Sequence, residues 1–403
     1  AVVEDGFVAF NTESCTVYVL DAKTGKLAWQ EWLGDPLMSQ PAIYKGKLYI
    51  AYPAGQRGHH APFLNKVNAN NAGSAGSHNQ KIAIKDDPNK RHRMLCADLK
   101  TGKHLWEQPI TADVISAPVI HDNKVFFTCQ DGTSFCMAAD SGTKVWEKAH
   151  AGTSAPVIAD GRVLVTEKEQ RDNNLFEGIQ IVDSRDGKRA EKAPIWQRSA
   201  PYLNNLSGAA NGTIAPEAAM SLDSAVGFGG GAPAAAAMDK AASNLNINTV
   251  AAGWAYQGPR LALKGSTAFN AQGQTIQSFS LARGGDEWVE SSPSRALPQL
   301  NWEAQVKGKN VRSDIQVFSP PSLGRKNMYL ASQSGHLVAL DQKTGELSFS
   351  YATGSPVVMQ PSLAGGNVYV GTSDGMLICL KTGNPDADGW TAWGGNAQHN
   401  KQD

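Results

Sequence analysis

Apolar and polar positions alternate along short runs of this chain, and the runs recur in a fixed order. Val17, Tyr18, Val19 and Leu20 make one such run. Alternation with a period of two marks a strand that presents one face to a core. Asp21 to Thr24 and then Gly25 follow as a turn. The Asp side chain can accept from nearby backbone N–H groups, and the Gly takes a positive φ. A second strand then ends in Trp29. The predicted unit is a hairpin with a large aromatic closing its far side.

The same order returns along the chain. MLCADLKTGKHLW (Met94–Trp106) repeats Asp98, Gly102 and Trp106. FCMAADSGTKVW (Phe135–Trp146) repeats Gly142 and Trp146, and VALDQKTGELSF (Val338–Phe349) repeats Asp341 and Gly345. Degenerate copies surround Asp183 and Gly187, precede Trp288, and end at Gly383, which makes seven copies in all. Two more strands are expected before each hairpin, as in SAPVIHDNKVFFTCQDG from Ser116. The first carries Pro41, Pro118, Pro156, Pro321 or Pro361 near its start, where a missing N–H is tolerated. Asp131-Gly132, Ser334-Gly335 and Asp374-Gly375 suit two-residue hairpin loops and join the second of these strands to the hairpin. Four antiparallel strands per repeat predict an all-β propeller of seven blades, with eight as the alternative.

The slots S-x-P, G-x-V-Y-V, D-G-x-L and D-x-x-T-G-x-x-x-W resemble the pyrroloquinoline-quinone-like (PQQ-like) β-propeller repeat over nearly the whole sequence. That resemblance implies a secreted, periplasmic or cell-surface protein. It covers quinoprotein dehydrogenases, outer-membrane assembly factors of the BamB kind and sensor domains, so it does not select a function. A dehydrogenase of this family is expected to carry adjacent cysteines, a Trp platform for the quinone and acidic ligands for calcium. No vicinal cysteines occur here, and the tryptophans mostly fall in blade-docking slots. No catalytic or cofactor-binding residue is therefore assigned; PQQ with calcium belongs only to the alternative of a divergent quinone-dependent oxidoreductase.

Length alone would suggest two or three domains for 403 residues, but the repeat argues for one closed propeller. Lys plus Arg equals Asp plus Glu at 37 each, which offers no basic stripe for nucleic acid. No run of about 18 apolar residues is present to span a bilayer as a helix. The opening AVVEDG aligns with PVIADG, so the sequence begins inside a first strand and an upstream segment or signal peptide is expected. A sensor or assembly module of a longer polypeptide is a further reading of the same feature. Cys96, Cys136 and Cys379 share the slot that holds Ala339 elsewhere, which predicts small buried side chains. Cys129 and Cys136 flank one hairpin diagonally, Cys15 has no evident mate, and five cysteines argue against a full disulfide framework.

Departures from the repeat are confined to connections. An insertion at 53–93 in blade two holds His59, His60, Phe63, His78 and His92. His59-His60 beside Asp86-Asp87 is a weak metal candidate, because no i,i+4 or Cys partner fixes a geometry; a solvated loop is the plainer reading. A Gly/Ala/Asn-rich insertion at 199–250 includes Phe228 among Gly227 and Gly229 to Gly231, without the Lys-Ser or Lys-Thr of a phosphate loop. An Ala-rich helix within it would make it a lid or partner surface. Blade five is expected to close at Trp288 or at Trp302, and blade seven at Trp390. The tail 390–403 is expected either to latch onto the first blade or to lie as a surface strap. Because function concentrates in such loops, His59, His60, Phe63 and Phe228 mark the expected surface for a protein or envelope partner of a noncatalytic scaffold.

Overall fold

The structure is a computed structural model that describes residues 1–12, 16–33, 39–53, 90, 92–149, 152, 154–171, 174–191, 195–196, 261–272, 275–281, 299–305, 318–332, 334–357 and 359–400. The fold is an all-β, seven-bladed β-propeller, with no helix among the described residues. Blade one is β1 (Val2–Glu4), β2 (Phe7–Asn11), β3 (Thr16–Asp21) and β4 (Leu27–Trp32). Blade two is β5 (Ala42–Tyr44), β6 (Lys47–Pro53), β7 (His92–Asp98) and β8 (His104–Ile110). Blade three is β9 (Val119–His121), β10 (Lys124–Thr128), β11 (Thr133–Ala138) and β12 (Lys144–Ala149). Each is an antiparallel meander in sequence order. In blade four, β13 (Val157–Ala159), β14 (Arg162–Arg171), β15 (Asn174–Asp183) and β16 (Arg189–Glu191) run in order, and β17 (Ile195–Trp196) also pairs with β15.

Blade five comprises β18 (Ala262–Lys264), β19 (Thr267–Gln272), β20 (Thr275–Ser280) and β21 (Gln299–Gln305). Its closing tryptophan is Trp302 on β21; Trp288 lies outside the described residues. Blade six comprises β22 (Ser322–Leu323), β23 (Asn327–Ser332), β24 (His336–Asp341) and β25 (Leu347–Ala352). Blade seven departs from the four-strand expectation, with only β26 (Ser362–Ala364), β27 (Asn367–Gly371) and β28 (Leu377–Lys381) among the described residues.

The chain divides into two compact units. One holds residues 1–163, 182–189 and 392–401, and the other holds 164–181, 190–391 and 402–403. In the first unit, alternation along a central strand serves two cores instead of one. Leu48, Ile50 and Tyr52 of β6 join one cluster with Val19, Trp29 and Leu95, whereas Tyr49 and Ala51 join another with Cys96, Trp106 and Phe127. A blade flanked by neighbours must be apolar on both faces, which is why LYIAY reads as a continuous apolar run. In the second unit the main cluster gathers Phe269, Met328, Tyr329, Leu340, Val368 and Trp390.

The turns sort into two kinds. Asp5-Gly6, Lys45-Gly46, Asp122-Asn123 and Asp160-Gly161 have positive φ at both positions and join first to second strands, as type I′ hairpin loops do. Asp131-Gly132 is a different turn from the one its sequence suggests. Gly132 N–H donates to the Cys129 carbonyl at 2.9 Å, and Cys129 N–H to the Thr133 carbonyl at 2.8 Å, so the connection is longer than two residues. Gly335 and Gly375 make the corresponding bonds to Ser332 and Thr372 at 3.1 Å. The third connection behaves as expected: Thr24 N–H and Oγ1–H donate to Asp21 Oδ1 at 2.7 and 2.6 Å, and Gly25 takes φ 68°. Asp98 receives the same pair from Thr101 at 2.8 and 2.6 Å.

Candidate functional site

The repeat's Trp and Gly meet between blades. Trp29 leaves β4 with its indole over Gly102, so that a Cβ on Gly102 would fall 2.8 Å from the ring. Trp106 covers Gly142 in the same way, Trp146 covers Gly187, and in the second unit Trp302 covers Gly345. Each indole N–H donates to the carbonyl three residues before that glycine: Leu99 at 2.7 Å, Ala139 at 2.9 Å, Ser184 at 3.1 Å and Gln342 at 3.0 Å. Trp29, Trp106 and Trp146 are 5, 6 and 5% exposed. The aromatic therefore closes the neighbouring blade's turn as well as its own hairpin, a long-range partnership that spacing alone does not reveal. Trp, Gly and the turn Asp are thereby engaged by the fold and are not free for chemistry.

Two of the predicted motif residues sit elsewhere. Trp390 is on no fourth strand: its backbone bridges Leu363 of β26, with Leu363 N–H donating to the Trp390 carbonyl at 2.7 Å. The chain between Lys381 and Trp390 turns through Asn384 to Asp388 and returns to the blade's first strand. Gly383 keeps φ 67°, yet nothing lies within 4 Å of a Cβ built on it. The cysteine expectation holds for two of the three slot residues. Cys96 and Cys136 are free, buried and opposite Trp106 and Trp146, and burial pushes both thiols up to about 12. Cys129 is likewise free and buried, with its thiol raised by burial. Cys379 is free but exposed, because no fourth strand among the described residues covers β28.

A polar cluster absent from the sequence reading braces blades one and two. His104 Nδ1 is 2.7 Å from Glu107 Oε1, and Nε2 is 2.7 Å from Glu31 Oε2. Tyr52 O–H donates to Glu107 Oε2 at 2.6 Å. Both imidazole nitrogens and the phenol are occupied and no nucleophile stands among them, so this is a cross-brace between β4 and β8. Its signal was a lone His in the slot that holds Leu27, Lys144 and Leu347 in other copies.

The tail reaches further than a latch on one blade. Within the first unit it crosses the first strands of four successive blades. Gln398 Nε2–H donates to Glu4 Oε2 at 2.6 Å, and Ile43 N–H donates to the Ala397 carbonyl at 2.9 Å. Ile120 N–H donates to the Gln398 carbonyl at 3.0 Å. Asn400 then uses its side-chain amide as a strand would: Oδ1 accepts from Ile158 N–H at 2.9 Å and Nδ2–H donates to the Ile158 carbonyl at 3.1 Å. His399 is buried between the carbonyls of Trp393 and Pro41. Trp393, Gly394 and Gly395 thus open a strap that ties β1, β5, β9 and β13.

No group of three or more His, Cys, Asp or Glu side chains suited to a metal occurs among the described residues. His59, His60, Phe63 and Phe228 lie outside them, as do most of the insertions at 53–93 and 199–250 and the Ala-rich stretch. An open groove beside β12 is lined by Lys144, Lys148 and Arg185 together with Glu147 and Asp186, a mixed-charge surface without convergent chemistry.

Known proteins resemble this arrangement at several levels. A designed protein, Ika8, superposes with a TM-score of 0.55 at 12% identity, over 94% of this chain and 81% of its own. BamB from Moraxella catarrhalis gives a TM-score of 0.47 at 13% identity, over 94 and 95% of the two chains. A tetrathionate hydrolase from Acidithiobacillus ferrooxidans is 26% identical over 151 residues, which is 37% of this chain and only 28% of that protein. The family model described as outer membrane protein assembly factor BamB matches residues 56–290 and 267–401, and with the repeats, docks and seven blades in place the chain belongs to that family.

Proposed function

We propose that this protein is a noncatalytic, extracytoplasmic propeller scaffold that holds a protein or cell-envelope partner through its blade loops. The observation that carries this reading is the engagement of the repeat's conspicuous residues. Asp21 and Asp98 cap turns, Gly102, Gly142, Gly187 and Gly345 receive indoles, and the tryptophans bond to backbone. What differs between repeats lies in the connections, and those are the parts available for recognition. Membership in a family described as an outer membrane assembly factor supports a partner of the envelope. No helix among the described residues is long and apolar enough to cross a membrane, so the reading needs no helical anchor within them.

The test removes the insertions and keeps the blades. A variant with 54–91 and 202–248 each replaced by a short Gly/Asn linker, which leaves β6 and β7 a turn to join them, should melt cooperatively near the full protein's midpoint while losing capture of one defined outer-membrane protein from solubilised envelopes. Capture that survives both deletions would move the partner surface off the loops. Saturable thermal stabilisation by pyrroloquinoline quinone plus calcium, with dye reduction, would instead favour the quinone-dependent oxidoreductase.

A further inference from the structure

Blades two and three use the same two positions of the outer strand for an ion pair and fill one of them differently. In blade three Lys144 Nζ lies 2.7 Å from Glu147 Oε2, a contact between residues three apart on β12. The corresponding residues of β8 are His104 and Glu107, with Nδ1 2.7 Å from Oε1. A lysine is a fixed cation near neutrality, and an imidazole is not. The other ring nitrogen of His104 faces a second carboxylate, with Nε2 2.7 Å from Glu31 Oε2 on β4. His104 and Glu107 are buried and Glu31 is half-buried.

Each contact needs a proton between nitrogen and oxygen, because an ionised carboxylate and a bare ring nitrogen both only accept. The two contacts therefore hold two protons among Glu31, His104 and Glu107. Free in water near pH 7.5, the same three groups would hold about a tenth of one. Tyr52 O–H donates to Glu107 Oε2 at 2.6 Å, which favours the ionised form of that carboxyl. Burial alone would favour a neutral ring, but it also strips water from the carboxylates on either side, and an imidazolium between them satisfies both at once. Arg93 of β7 pairs across from Tyr52 and shares this face of the blade, with its guanidinium donating to the carbonyls of Lys90 and His92. Among the described residues, β4 thus brings Glu31 to the ring, β6 brings Tyr52, β7 brings Arg93 to the same face and β8 brings Glu107.

We propose that Glu31, His104 and Glu107 form a proton-operated clasp between blades one and two, closed while His104 is an imidazolium and loosened when the ring loses its second proton. Loss of that proton sets a nitrogen lone pair against a carboxylate oxygen, so one contact becomes repulsive. The contact to Glu31 yields first, because Glu107 is also held by Tyr52 and lies on the strand of His104. Tyr52 and Arg93 stand at the ends of β6 and β7, where the 53–93 insertion joins the blade. Loosening of that root bears on partner capture only if the loop reading of function holds; the proton does not depend on it.

Linkage fixes the direction. A group that keeps its proton in the folded chain and sheds it in the unfolded one stabilises the fold fully below the unfolded value of about 6.5, and loses that contribution as pH rises through the folded value. This one proton should raise the unfolding equilibrium constant by up to about tenfold per pH unit above about pH 6.5. Two measurements on the full chain test the clasp, and neither involves a partner. With 15N-labelled histidine, assigned through bonds to its own backbone, His104 should show both ring nitrogens protonated at about pH 7.5. His104→Lys installs the fixed cation that blade three carries at this position, and between about pH 7 and 8 its unfolding constant should rise about tenfold less than the parent's. His104→Gln keeps donors but no charge, and should be less stable than the parent at pH 6.5 with the same shallow pH dependence as His104→Lys. The labelling experiment needs no variant, so it decides even where a substitution unfolds the chain. A ring protonated on one nitrogen at about pH 7.5, or parallel curves for parent and His104→Lys, overturns the proposal.

Discussion

Blade three and blade seven are written in the same repeat and finish differently. In blade three, β12 covers β11, Cys136 pairs across from Trp146, and the indole continues onto Gly187. In blade seven, β28 carries Cys379 in the corresponding slot, and no described strand lies on its outer side. Met376 and Leu377 are 60 and 75% exposed there. Third strands are apolar because neighbouring blades pack on their faces, and in blade seven the apolar pattern persists although no strand among the described residues pairs with the outer edge of β28. On four of the fourth strands one tryptophan (Trp29, Trp106, Trp146 or Trp302) does two jobs, capping its own sheet and closing the next turn. The comparison therefore predicts where mutations hurt.

The largest effect should come from removing an indole that performs both jobs. Trp146→Ala is expected to cost about 3–5 kcal/mol, as for other large-to-small changes in a packed core. Leu377→Ala, on the uncovered strand, should change stability by less than about 0.5 kcal/mol. Chemical denaturation of the two variants checks this. Equal losses would mean that β28 is as well covered as β11.

A smaller effect separates a glycine that lies under an indole from one that, among the described residues, does not. Gly142→Ala and Gly25→Ala both force a Cβ into left-handed backbone, at roughly 1–2 kcal/mol each. Only Gly142→Ala also drives that Cβ to 2.6 Å from the Trp106 ring, which adds about 1–3 kcal/mol of overpacking. Urea midpoints for the two variants should differ accordingly. If they coincide, the indole yields without cost and the docking contact is soft.

The strands, the Asp-x-x-Thr-Gly turns and the repeat count were legible because each rests on neighbours within a few residues. Asp21 and Thr24 find one another whatever the rest of the chain does. The docks were half legible: the Trp and Gly slots stood out, but Trp29 and Gly102 are 73 positions apart, and nothing local says that one sits on the other. Trp390 misled because it is the first aromatic after Gly383, although it stands seven positions on where the regular copies have four, and its backbone returns to β26 instead of adding a strand. The strap from Ala392 to Asn400 carries no alternation, since it bonds through carbonyls and side-chain amides one strand at a time. The brace at His104 needed a partner on another blade, Glu31, and was visible only as an odd residue in a repeated slot.

The turn aspartates give the smallest effect and a defined sign. Hydrogen bonds to the Thr24 side chain and backbone hold Asp21 below its usual value of 3.8. Asp183 is lowered first by its side-chain bond to Arg185 and then by the Arg185 backbone, against some desolvation. At Asp341 burial opposes ionisation, but the backbone N–H groups of Lys343 and Thr344 outweigh it and the carboxyl is again lowered. A group whose folded value is depressed stabilises the fold above its unfolded value and loses that contribution as pH falls through the folded value. Stability should therefore be flat in these groups near neutrality and should begin to fall below about pH 4, close to the unfolded Asp value. Asp183→Asn keeps an acceptor oxygen for the Arg185 backbone but cannot ionise, so its stability should decline less steeply than the parent's between about pH 4 and 2. Parallel acid-denaturation curves for parent and Asp183→Asn would show that the turn carboxylate is held equally well in the unfolded chain, and the electrostatic part of the turn would then be nil.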